Sequence, residues 1–249
     1  MSTGKRLAVV TGSSSGVGAA LARLLVADGW IVVGMSRTDS EYRDANYRNI
    51  GVDLGDLASV RGIVERELTA VVADTTWQRI GLVNNAAAIG LLMPLENTDP
   101  LKVSEVLALN VVAPIFLMGF LARVAPSTTP LRIVNVSSGA ATQAYPGFGD
   151  YSSSKAALRM ASMVFAAELG STQRPGGARE DFEILSYSPG VVDTPMQRSA
   201  RAPRPWNDMF VDFHKRGQLV APDAPAREIA DFLAGDSGQP FAERRYGVA

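Results

Sequence analysis

The 249-residue sequence contains no cysteine and a single histidine, His214. The first absence removes disulfide frameworks, thiolate metal sites and cysteine nucleophiles together. The second removes histidine-rich metal centres and a histidine-based triad, so no metal is expected and acid–base chemistry must come from other side chains. An excess of charge is missing too: 24 basic residues stand against 25 acidic ones, for a net charge of −1. The cations are scattered, whereas a surface that tracks a phosphate backbone needs several that converge, so nucleic acid is not an expected partner. No hydrophobic run is long enough to read as a membrane span. The longest, Val106–Ala122, is 17 residues interrupted by Asn110 and Pro114, against about 20 for a span, and reads as a helix buried in the protein or at a subunit interface. The polar Met1–Arg6 gives way to only five strand-like residues, Leu7–Thr11, before a glycine run, too short for a secretory core. The expectation is an unprocessed cytoplasmic protein with no membrane partner.

What is present is an alternation of short apolar runs with longer helical patterns. The runs are Leu7–Thr11, Trp30–Ser36, Tyr47–Val52, Ile80–Asn84, Leu131–Val136 and Phe182–Tyr187. Between them, Val17–Asp28, Leu57–Val72, Leu101–Val124 and Tyr151–Leu169 carry apolar residues three and four apart. Strands apolar on both faces and separated by helices predict a parallel sheet covered on two sides, the doubly wound Rossmann class of α/β fold. At 47% apolar residues and with no linker or repeat, residues 1–249 are expected to form one domain. Gln173–Glu180 reads as a polar surface loop, and Arg198–Trp206, broken by Pro203 and Pro205, as irregular. A substrate-binding segment is expected at about 194–222, past a strand's carboxyl end, where ligands of open α/β sheets bind.

Directly after the first run comes Thr11-Gly12-Ser13-Ser14-Ser15-Gly16-Val17-Gly18. Glycines let the backbone approach a pyrophosphate, and the free N–H groups of a helix N-terminus favour the anion; Gly12, Ser14, Ser15, Gly16, Val17 and Gly18 are therefore candidate dinucleotide ligands. The second run ends in Ser36-Arg37-Thr38, with Arg37 lying 19 residues after Gly18. An arginine fork beside hydroxyls suits a ribose 2′-phosphate and offers no acceptor to a bare ribose diol, so NADP(H) is expected over NAD(H), with Asp39 as the alternative residue there. Asp53 and Leu54 follow the third run near the expected adenine. Asn85 and Ala86 follow the fourth, Asn85 serving the cofactor, a strand-linking hydrogen bond, or both.

Tyr151 and Lys155, four apart at the start of a predicted helix, share one face. A free tyrosine titrates near pH 10, and bringing it to about 7 requires roughly 4 kcal/mol of differential interaction, which a desolvated cation could supply. Ser138, thirteen residues before Tyr151, could hold a carbonyl oxygen beside the phenol. Asn110, the lone amide of the long apolar helix, must pair with something, and a water chain from Lys155 would give that pairing a catalytic use.

With these pieces in order, the chain resembles the short-chain dehydrogenase/reductase family, from Thr11–Gly18 through Asn84-Asn85-Ala86, Asn110, Ser138 and Tyr151-x-x-x-Lys155 to Pro189-Gly190 and Thr194. The resemblance implies Tyr151 as proton donor and Lys155 as ribose ligand that lowers the tyrosine pKa. It further implies Ser138 polarising the carbonyl, Asn110 holding a relay water, and Pro189, Gly190, Val192 and Thr194 shaping the nicotinamide pocket. Ala87 stands where the family commonly has glycine. The stretch Tyr187–Gln197 with Gly217–Val220 is similar to the sepiapterin reductase and benzil reductase branch, whose members are NADPH-dependent carbonyl reductases acting on vicinal dicarbonyl or hydroxyketone compounds. The C-terminal Arg245–Ala249 holds no acid to anchor a pterin, which favours an uncharged or aromatic diketone. Tyr145, Phe148, Met196, Trp206, Met209, Phe210 and Phe213 are candidates for an apolar substrate wall or for plain packing. His214 is expected to be structural or exposed. The resemblance also implies a homodimer or tetramer through Leu101–Val124 and Tyr151–Leu169. The alternatives to a carbonyl reductase are an NAD(P)-dependent alcohol dehydrogenase and a non-catalytic dinucleotide sensor.

Overall fold

The computed structural model describes residues 4–202 and 205–247; Met1, Pro203 and Val248–Ala249 lie outside them. Seven strands form one all-parallel sheet: β1 (Arg6–Thr11), β2 (Trp30–Ser36), β3 (Tyr47–Gly51), β4 (Arg79–Asn84), β5 (Leu131–Val136), β6 (Phe182–Ser188) and β7 (Phe241–Arg245). Their order is β3-β2-β1-β4-β5-β6-β7, so the chain reverses its direction across the sheet between β1 and β4. That switch point opens a crevice at the carboxyl ends of the strands. The doubly wound Rossmann fold expected from the apolar runs is the one found.

The helices are α1 (Gly16–Ala27), α2 (Leu57–Val72), α3 (Pro100–Leu107), α4 (Ala113–Val124), α5 (Gly149–Leu169), α6 (Pro195–Ala200), α7 (Asp208–Lys215) and α8 (Asp223–Ala234). Strand alternation sends Leu7 and Val9 into one apolar layer with α2, α4 and α5, and Ala8 and Val10 into the opposite layer with α1 and α8. Both faces are dry, which is why these strands read as continuous apolar runs. A third cluster, Leu92, Ala140, Phe148, Tyr151, Ala200 and Phe210, caps the carboxyl end of the sheet.

In its helices and loops the structure departs from the sequence reading at three places. The expected helix Leu101–Val124 is two helices joined by a π turn, Ala108–Val112, in which Ala113 N–H reaches back five residues to the Ala108 carbonyl. Pro114 has no N–H to give the Asn110 carbonyl four residues back. Pro100–Val124 is apolar and long enough by itself to cross a membrane, yet Leu117, Phe120 and Leu121 are at most 1% exposed in the core. Of the stretch expected to be irregular, Arg198–Ala200 closes α6, because Thr194 caps that helix and Pro195 occupies its first turn, while Arg201, Ala202, Pro205 and Trp206 lie in turns or bends. The loop Gln173–Glu180 is not wholly a surface feature: Arg179 turns inward at 3% exposure and donates to the Pro126 and Thr129 carbonyls.

Candidate active site

One cleft of about 1220 Å³ runs across the carboxyl ends of the strands. At its centre the turn after β1 enters α1, whose N-cap Ser15 makes no side-chain bond to the first-turn N–H groups and whose first turn has no acid. These donors are left facing the cleft, as an anion requires. Gly16 has φ +56°, and a β-carbon there would stand 3.0 Å from the Thr194 methyl, so the turn and the start of α6 close on each other as only glycine permits. Gly18 corrects an expectation, since it does not line the cleft. A β-carbon on it would lie 2.3 Å from the Gly12 carbonyl oxygen and 2.6 Å from Asn85 Nδ2; its role is close packing of α1 on the turn. The Thr11 hydroxyl accepts from Asn85 N at 2.9 Å and Ala86 N at 3.0 Å, and Asn85 Nδ2 donates to the Thr11 carbonyl at 2.9 Å. Asn85 therefore makes the strand-linking bond, and with Ala86 it also forms cleft wall.

At one end the wall is Ser36, Arg37 and Thr38, with Asp53 and Leu54 across from them. Ser36 Oγ donates to Asn49 Oδ1 at 2.9 Å, which fixes the strand tip, and the Arg37 side chain is exposed on the wall. Asp39 is not part of that wall: Arg43 Nη2 donates to its carboxylate at 2.8 Å. At the other end are Ser138, Tyr151, Lys155, Pro189, Gly190, Val192 and Thr194, with Tyr145, Phe148, Met196, Met209, Phe210 and Phe213 as an apolar wall. Trp206 does not join it; its ring packs against Gly147 at the rim. His214 is exposed near the end of α7.

Tyr151 sits in the first turn of α5, its ring held edge-on to Phe148, which stacks on Phe210 with centroids 5.6 Å apart. One turn later, Lys155 is 3% exposed and donates to the Val136 carbonyl at 2.8 Å, with no carboxylate partner among the described residues. Burial alone pushes its ammonium down to about 8. The nitrogen lies 5.7 Å from the Tyr151 ring centroid. Burial raises the Tyr151 phenol above its ordinary value while the Ser138 hydroxyl pulls the other way. The expected lowering of the tyrosine by Lys155 is not seen: burial and Ser138 set the shift, and the phenol keeps its proton at neutral pH. Asn110 also differs from expectation. Its Oδ1 accepts from Ala88 N at 2.8 Å and its Nδ2 donates to the Ala88 carbonyl at 2.8 Å and to Ser154 Oγ at 3.0 Å. The amide is thus spent within the chain, 1% exposed behind the cleft.

Two residues escaped the sequence reading. Asp150, 4% exposed, accepts from Tyr151 N at 2.7 Å and from Leu91 N at 3.1 Å, fastening the loop after β4 to the turn that carries Tyr151. A β-carbon at Gly90 would strike this carboxylate at 2.2 Å. An acid in a helix's first turn is itself a signal. We expect Asp150→Ala to lower stability by about 2 kcal/mol, because the Leu91 and Tyr151 N–H groups lose their acceptor, and Asp150→Asn to restore about half; thermal melting of the three proteins checks this. Gln197, 4% exposed, donates Nε2 to the Phe210 carbonyl at 3.1 Å, which leaves Oε1 without a partner. Flipping the amide would set oxygen against oxygen.

A dinucleotide fits these residues: open helix donors, a glycine floor, small side chains at Ala86 and Ala87, and a cation at the far end. The comparisons agree with that chemistry. A family model described as short chain dehydrogenase matches residues 6–205. The chain is 30% identical over 235 residues to benzil reductase ((S)-benzoin forming) of Bacillus subtilis (strain 168), covering 91% of this chain and 93% of the relative. It is 32% identical over 260 residues to the sepiapterin reductase of Mus musculus, covering 96% and 95%. A solved short-chain dehydrogenase/reductase from Burkholderia vietnamiensis superposes with a TM-score of 0.67 at 29% identity, over 94% of this chain and 96% of that one. With the sheet order, the glycine turn and a match over most of its length, this chain belongs to the short-chain dehydrogenase family.

Proposed function

We propose that the protein is an NADPH-dependent carbonyl reductase acting on a ketone or vicinal diketone. The observation that carries the reading is the gathering of the Ser138 and Tyr151 hydroxyls and the Lys155 ammonium on one wall of the cleft, with Arg37 on the wall at its other end. The glycine turn and α1 N-terminus would hold the pyrophosphate, Arg37 with Ser36 the 2′-phosphate, and Lys155 the nicotinamide ribose; Pro189, Gly190, Val192 and Thr194 would flank the nicotinamide. When bound, the reduced cofactor supplies a hydride to the ketone carbon. Tyr151 gives its proton to the carbonyl oxygen, Ser138 donates a hydrogen bond that holds that oxygen in place, and the apolar wall excludes water. The Asn110 carbonyl, to which Pro114 can give no α-helical hydrogen bond, would be the place to hold a water that returns the proton toward Lys155.

The preference for NADPH is supported by Arg37 standing on the wall while Asp39 is engaged by Arg43 outside it. Arg37→Ala is expected to raise KM for NADPH by about 10- to 100-fold, the worth of hydrogen bonds to a charged group, and to change KM for NADH by less than about twofold. Steady-state oxidation of NADPH and NADH in parallel, with benzil and simple diketones, tests cofactor and reaction together. A wild-type preference for NADH, or no turnover with any ketone, overturns the reading. The proposal includes a cytoplasmic homodimer through α4 and α5, whose outward faces leave Ile115 45%, Met160 53% and Val164 48% exposed.

A further inference from the structure

The apolar wall accounts for the body of a substrate and leaves Arg245 without a task. Side chains alternate along β7. Phe241 packs beside the core layer that contains α5, and Glu243 accepts from Arg159 of α5 at 2.6 and 2.7 Å. Ala242 packs beside the opposite layer and Arg244 lies over the Phe232 ring of α8. Arg245 therefore belongs to the α5 face. From Glu243 to Arg245 the strand advances about 7 Å toward the carboxyl edge of the sheet. From Arg159 back to Lys155, α5 advances about 6 Å the same way. Arg245 thus stands at the level of Lys155, opposite Ser188 in register, and lines the cleft with Ser188, Pro189 and Gly190.

Its guanidinium is exposed and makes no ion pair or hydrogen bond with another described residue. The cofactor's phosphates are out of its range: β7 lies five strands from β2, which carries Arg37, and four from β1, which carries the glycine turn, separations of about 24 and 19 Å. Elsewhere in the cleft Lys102 is offset by Glu105, to which it donates at 2.9 Å, and Arg37 stands at the far end, where the reading above places the 2′-phosphate. The wall built from β5 to β7 with α5, α6 and α7 has Lys155 and Arg245 as its charged side chains and no carboxylate among the described residues. Lys155 is engaged by the Val136 carbonyl and, on the reading above, by ribose. Arg245 is the cation left over.

We propose that Arg245 receives a carboxylate of the substrate, so that the ketone reduced is an oxo acid with an apolar body. This rests on the cleft being a carbonyl-reductase site, and it replaces the uncharged diketone expected from the sequence. An aryl 2-oxo acid keeps the vicinal dicarbonyl, suits the aromatic wall and supplies the anion that a planar guanidinium fork takes up in two parallel hydrogen bonds.

The test pairs benzoylformate with its methyl ester. Calorimetric titration into the enzyme loaded with NADP⁺ should give tighter binding of the acid than of the ester, and kcat/KM should favour the acid by at least about tenfold. In R245Q the acid-to-ester ratio should fall by about tenfold or more, and in R245E it should invert. Acid binding that is no tighter than ester binding, or a ratio unchanged in R245Q, overturns the proposal, and rapid reduction of the ester or of benzil would then leave the reductase reading standing. Arg245-dependent binding of the acid with no reduction of any ketone would do the reverse, sustaining the anion site and removing the reductase.

Discussion

Replacing Tyr151 with phenylalanine is expected to cut turnover with any ketone by about 10³-fold or more, near the upper range for a positioned general acid, while NADPH binding stays within about twofold. The argument turns on what the substitution leaves in place. The ring belongs to the cluster of Leu92, Ala140, Phe148 and Phe210, and phenylalanine keeps its volume and its edge-on contact with Phe148. Helix α5 is fixed independently, by Asp150 at its start and by Lys155 on the Val136 carbonyl. What disappears is the hydroxyl beside Ser138, the protonated group that on the proposed function would meet a developing alkoxide. Burial keeps that phenol protonated at neutral pH, the state that reduction would consume. Stopped-flow and steady-state NADPH oxidation measure the loss, and NADPH fluorescence titration measures the binding. Turnover at a tenth of wild type would remove Tyr151 from the donor's role.

The parts of this molecule that were legible in its sequence are those where burial is symmetric. Strands β1, β2, β4, β5 and β6 have apolar layers on both sides, so Leu7–Thr11 and Leu131–Val136 stand out as uninterrupted runs. Strand β7 did not: at the sheet edge Phe241-Ala-Glu-Arg-Arg245 has charged residues serving α5, α8 and the cleft, and its alternation is polar on both faces. The glycine turn, Ser138, Tyr151 and Lys155 were legible because each sits at a strand end or helix start that the pattern located. Asn110 was legible only as a lone amide. Its pairing with Ala88 and Ser154 depends on a π turn, and neither that turn nor the electrostatics of a cleft can be read from spacing. Four residues on a helix brought Lys155 near Tyr151, but burial decided the sense of both pKa shifts.

That burial gives Lys155→Met a double expected consequence: loss of turnover by about 10³-fold and a more stable cofactor-free protein at neutral pH. Unfolded lysine holds its proton to about pH 10.4, whereas folded Lys155 holds it to about 8. Between these values the unfolded chain binds more protons, so this group makes wild-type stability rise with pH, and below about 8 its cost is fully present. The shift corresponds to a cost on the order of 3 kcal/mol. Methionine removes the charge and fills a similar volume, and it leaves the Val136 carbonyl without its donor, at about 1 kcal/mol. A net gain of about 2 kcal/mol should raise the melting temperature of the cofactor-free protein by about 4–8 °C at pH 7. The gain should shrink as the pH approaches 10, where wild-type Lys155 is neutral too. Melting curves of both proteins at pH 7 and at about pH 9.5, near the end of that window, measure it. A variant that melts below wild type at pH 7 would show that the ammonium is held by favourable contacts rather than against a burial penalty. A variant both more stable and inactive would place Lys155 among residues kept for chemistry at the expense of the fold.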